Sequence, residues 1–75
     1  MGGIRNKVRD LRAEREMTQQ QLAERIDLTR QTVIAIEGDK YSPSLETAFR
    51  IANVFGVPLE QVFQYQDDRK KSSRR

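Results

Sequence analysis

Seventy-five residues allow one domain at most, because a single core of this size is already near the lower limit for independent stability. Cysteine and histidine are both absent, which excludes disulfides, thiolate or imidazole metal sites and the usual nucleophile–base pairs, so neither a cofactor nor an enzyme is expected. The net charge is +3, yet residues 4–66 carry nine basic and nine acidic side chains, so the whole excess lies in residues 67–75, with five basic and two acidic.

The apolar pattern ends after Tyr65, which predicts a folded unit over residues 1–66 and a disordered basic tail over 67–75. The tail either lies on nucleic acid or is a solvated end. No apolar run, the one at residues 33–36 included, is long enough to span a bilayer, and residues 1–5 lack the apolar stretch of a signal peptide. No membrane association and a cytoplasmic location are expected.

Ile4, Val8 and Leu11 stand at i, i+4 and i+7, which predicts a first helix over residues 4–15. Met17 begins a break. Thr18 followed three residues later by Gln21 is the pattern of a reciprocal capping box, so a second helix is expected from Thr18, with Leu22, Ala23 and Ile26 on its inner face. Asp27 and Leu28 leave room only for a tight turn, with Asp27 left-handed, before Thr29 caps a third helix over residues 30–37. Val33 and Ile36 face inward from it, and Gly38 or Asp39 ends it. Tyr41, Ser42 and Pro43 read as a loop. Ser44 caps a fourth helix whose Leu45, Ala48, Ile51, Ala52 and Phe55 form a broad apolar face before Gly56. Pro58 opens a short fifth helix carrying Leu59, Val62 and Phe63.

Two capped helices joined by a two-residue turn, with small Ala23 where the second must approach, describe a helix-turn-helix. An ordinary helical hairpin has the same spacing. The outer face of the third helix separates the two readings. A rotation of about 100° per residue turns Gln31, Ile34 and Ala35 away from the Val33/Ile36 stripe, with Arg30 at the edge near the N-terminus. A merely solvated face would be rich in Glu and Lys. Arginine suits guanine, glutamine suits adenine and apolar groups suit the thymine methyl, so Arg30, Gln31, Ile34 and Ala35 are the candidate base contacts, although Ala35 is too short to hydrogen-bond a base. Ile34 either meets a thymine methyl or packs on a neighbouring element or a partner chain. Gln19 in the first turn of the second helix, with Thr29, Lys40 and Tyr41 flanking the third, are the candidate phosphate contacts. Lys40 reads equally as an ordinary loop lysine.

The segment over residues 18–37, continued by Pro43-Ser44-Leu45, Ile51-Ala52 and Phe55-Gly56-Val57, resembles the lambda-repressor/Cro class of helix-turn-helix proteins, the Xre family, over about residues 4–63. The resemblance implies an all-α, five-helix lambda-repressor-like domain. It implies that Gln19 contacts phosphate and that Arg30, Gln31 and Ala35 stand at base-contacting positions. It also implies a structural salt bridge between Arg12 of the first helix and Glu37 at the end of the third. Two departures stand out: Asp27 occupies a place where the family often has glycine, and the family's loop glycine falls one position after Gly38.

In function, the resemblance implies a transcriptional regulator, more often a repressor, binding palindromic double-stranded DNA as a homodimer. Leu59, Val62, Phe63 and Tyr65 exceed what a short last helix needs for docking and are expected at the two-fold interface. An antitoxin whose tail folds on a protein partner, or a protein-interaction module of the same fold, are the alternatives.

Overall fold

Three hydroxyl residues start the middle helices where their spacing predicts. Thr18 Oγ1 accepts from the Gln21 N–H at 3.0 Å while Gln21 Oε1 accepts from the Thr18 N–H at 2.8 Å, the full reciprocal box. Thr29 and Ser44 accept from the N–H groups of Thr32 and Thr47. In the computed structural model, which describes residues 3–66, these caps open α2 (Gln19–Arg25), α3 (Arg30–Glu37) and α4 (Leu45–Phe55). Before them come β1 (Gly3–Asn6) and α1 (Val8–Glu14), and after them α5 (Leu59–Val62) and β2 (Phe63–Gln66). The basic stretch over residues 67–75 lies outside the described residues. No helix among the described residues is long and apolar enough to cross a membrane.

The first four helices all stop in the same way. The N–H two residues past the turn reaches back to a carbonyl five residues earlier: Met17 to Arg12, Leu28 to Ala23, Lys40 to Ala35 and Val57 to Ala52, at 2.9–3.1 Å. Each such end needs one left-handed residue. Gly56 supplies it after α4, but Glu16, Asp27 and Asp39 supply it after α1, α2 and α3, with φ of 51°, 63° and 61°. Asp27 is therefore left-handed as expected. Asp39 takes the left-handed place in the loop while Gly38 keeps φ −88°, so the left-handed residue of this loop is an aspartate and not its glycine.

The five helices enclose one core of Val8, Leu22, Ala23, Ile26, Val33, Ile36, Ile51, Ala52, Phe55 and Val62. The periodic stripes of α2, α3 and α4 all face it. Two expectations at the chain's ends are corrected. Residues 4–6 are not the first turn of a helix, and Phe63 is not in α5. They form instead a two-stranded antiparallel sheet in which Ile4 faces Tyr65 and Asn6 faces Phe63.

The physical reason is Asn6. Its Oδ1 accepts from the Val8 N–H at 3.0 Å, which opens α1, and its Nδ2 donates to the Ile36 carbonyl at 2.8 Å and to Asp39 Oδ1 at 2.9 Å. One amide thus ties the start of α1 to the end of α3, and the residues before it are drawn out as a strand. The Lys7 N–H continues the connection by donating to the Val62 carbonyl at 2.8 Å. A third correction concerns Val62 itself. Expected at a two-fold interface, it is fully buried in this chain's own core.

Replacing Asn6 by alanine leaves part-buried partners unmatched and is expected to lower stability by about 1–3 kcal/mol in urea denaturation. Glu16→Gly removes a left-handed residue with a side chain and is expected to raise stability, by about 1 kcal/mol or less once the greater freedom of unfolded glycine is counted.

Candidate nucleic-acid interface

The third helix is held at both ends before it meets any ligand. At its start, Thr29 caps it, and the Thr29 and Thr32 hydroxyls lie 3.0 Å apart. The N–H groups of Arg30 and Gln31 have no acceptor inside the described residues, as the first turn of any helix leaves them. At its end stands Glu37, whose side chain is 3% exposed. It accepts from Arg12 Nε at 2.7 Å and Arg12 Nη2 at 3.2 Å, a two-pronged pairing of guanidinium with carboxylate. The predicted Arg12–Glu37 salt bridge is present.

Two further bonds complete this buried cluster. Arg12 Nη1 donates to the Met17 carbonyl at 2.8 Å, and Gln19 Nε2 donates to Glu37 Oε1 at 3.2 Å. Side chains from α1, the first turn of α2 and the end of α3 therefore converge on one carboxylate. The ion pair ties α3 to α1 and the Gln19 bond ties it to α2, so together they fix how α3 sits on the two helices before it, the geometry on which a helix entering a groove depends. Gln19, expected to meet phosphate, is engaged here, with its amide adjoining an open polar hollow lined by Arg12, Thr18, Gln19, Gln20 and Arg30. Gln20 is a lining residue that sequence reasoning did not single out. Its glutamine type carries no signal apart from its place one step into the capped helix.

The outer face of α3 is as the helical rotation predicts. Arg30, Gln31 and Ile34 are exposed, Ala35 is half-buried, and Val33 and Ile36 point inward. Ile34 is 43% exposed, so it is not packed into a neighbouring element of its own chain. Lys40 and Tyr41 are exposed just past the end of α3, and Leu28 adds an exposed apolar side chain in the turn before it. Asn6 is the positioning residue that spacing could not reveal, since its partners on α3 and the following loop lie 30 and 33 positions away.

A family model described as Helix-turn-helix (HTH_3) matches residues 8–62. The chain belongs to this helix-turn-helix family. An uncharacterized HTH-type transcriptional regulator of Methanocaldococcus jannaschii, MJ0272, is 49% identical over 65 residues that cover 87% of this chain and 98% of the relative. The Cryptic phage CTXphi transcriptional repressor RstR of Vibrio cholerae is 39% identical over 57 residues, covering 76% of this chain and 51% of that protein. A crystal structure from Bacteroides fragilis superposes with a TM-score of 0.76 at 24% identity, covering 83% of this chain and all of the other, and shares the fold. This helix-turn-helix protein is a transcriptional regulator with a DNA-binding domain, and its family is not an enzyme class.

Because Glu37 is buried against a single guanidinium, removing either partner strands the other. Arg12→Met and Glu37→Ala are each expected to cost about 3–5 kcal/mol in chemical denaturation, and the double variant less than their sum.

Proposed function

We propose that the protein is a repressor that binds a palindromic operator as a homodimer, each copy laying α3 in the major groove. The observation that carries this reading is the exposed, nearly uncharged face of a short helix whose position is fixed by the buried Arg12–Glu37 pair. A rigidly held helix without repelling carboxylates on its outer face suits the edges of base pairs. Arg30 and Gln31 read bases through hydrogen bonds, Ile34 packs on a thymine methyl, and Ala35 allows the backbone to approach.

Phosphates are held on either side of the groove. On one side, the free N–H groups at the start of α3, with Thr29, and the hollow beside Gln19 and Arg30 receive one backbone. Beyond the end of the helix, Lys40 and Tyr41 receive the other. The likeness to a named phage repressor supports repression as the sign of regulation. One eight-residue helix reads only a few base pairs, and two copies across half-sites about one helical turn apart supply the affinity that one lacks.

Selection of bound sequences from random duplex DNA tests the reading directly. The expected outcome is a two-fold symmetric site on which Arg30→Ala and Gln31→Ala each cost about 1–3 kcal/mol of discrimination at one base position. Unchanged binding by both variants would refute it. Lys40→Ala should instead weaken binding to every duplex alike and lower the steepness of its salt dependence by about one counterion.

A further inference from the structure

For a loop that is to meet phosphate, residues 38–41 carry an unexpected charge. Asp39 stands between Gly38 and Lys40 with its side chain 40% exposed, and a carboxylate repels a phosphate. It also cancels Lys40, so the loop by itself offers phosphate no net attraction. Both oxygens of Asp39 are met from β1. Asn6 Nδ2 donates to Oδ1 at 2.9 Å, and Arg5 Nη1 stands 3.7 Å from Oδ2.

The two contacts differ in kind. The Asn6 amide also donates to the Ile36 carbonyl and accepts from the Val8 N–H, so it is committed to the fold. Arg5 is not. Its side chain is 63% exposed, its approach to Asp39 is longer than a hydrogen bond, and an exposed pair at that distance adds little to stability. Neither β1 nor β2 contains a carboxylate, and this loose ion pair is the one that Arg5 makes among the described residues. We infer that Arg5 is a further contact to a backbone phosphate of duplex DNA, joining Lys40 and Tyr41 at the end of α3, with Asp39 as the positioning residue that holds the guanidinium beside the loop. A guanidinium presents several N–H donors in a rigid fork, so one prong can face Asp39 while the others reach a phosphate. Its charge restores the attraction that Asp39 takes from Lys40. The bonds of Asn6, the next residue in the chain, and the pairing of β1 with β2 give Arg5 a definite place. This contact rests on the operator reading, which brings the loop after α3 to the DNA backbone.

Fluorescence anisotropy of the full chain on a labelled duplex of mixed sequence, repeated over a series of salt concentrations, tests the contact. Arg5→Ala is expected to lower the slope of log affinity against log salt by about one, to weaken every duplex by the same factor and to leave the sequence preference unchanged. Arg5→Lys should keep most of the slope. Thermal midpoints of both variants should match the parent, because the ion pair they alter is exposed. A second background, Asp39→Asn, separates direct contact from screening. Asparagine keeps an acceptor for Asn6 and suits the left-handed conformation but carries no charge. In that background Arg5→Ala should lower the slope by the same amount.

Parental slope and affinity in Arg5→Ala would overturn the proposal. So would an effect that vanishes in the Asp39→Asn background, since Arg5 would then only screen Asp39. If Arg30→Ala and Lys40→Ala weaken binding while Arg5→Ala does not, the operator reading stands without this contact. A parent that holds mixed-sequence duplex through Arg5 but selects no sequence would refute the operator reading and leave the contact standing. A parent that binds no duplex would refute both.

Discussion

A single carboxylate sets the geometry of the helix-turn-helix in this protein. Glu37 closes α3, is withdrawn from solvent, and receives donors from Arg12 on α1 and Gln19 on α2. Burying a charge is costly unless it is paired and hydrogen-bonded, and here the donors come from two other helices. The orientation of α3 is therefore discrete: tilting it by a few degrees separates the carboxylate from three hydrogen bonds at once. Packing of Val33 and Ile36 alone would tolerate such adjustment, because apolar contacts have little directional preference. The ion pair adds direction to a contact that the core makes favourable.

Much of this was legible in the sequence because it rests on short-range chemistry. Thr18, Thr29 and Ser44 announce helix starts through bonds spanning three residues. The inward stripe of each helix follows from a fixed rotation per residue, and the exposed face of Arg30, Gln31 and Ile34 is its complement. Arg12 and Glu37 were legible for a different reason: 25 residues separate them, and only the family resemblance joined the two positions.

The chain's ends were not legible in the same way. Ile4, Val8 and Leu11 satisfy a helical period, but three positions are too few to exclude a strand followed by a helix. The deciding residue, Asn6, is polar and isolated in the pattern, and its partners Ile36 and Asp39 are distant. Val62 and Phe63 share the apolar character of Leu59 and Tyr65, and nothing in their order reveals that Val62 is enclosed while Tyr65 stands in solvent. Burial at the end of a short helix depends on which element arrives opposite it, here a strand from the other terminus.

That meeting of the two termini bears on how the molecule folds. Most of its contacts join neighbours in sequence, as in other small helical proteins that fold quickly. The pairing of Ile4 with Tyr65 joins positions roughly sixty residues apart, and closing so large a loop costs entropy that no local contact offsets beforehand. The helices can condense first, with the sheet forming last as a clasp. Amide exchange would then find the strands opening separately from the core while α2 and α3 remain protected, a partial opening confined to the two ends of the chain.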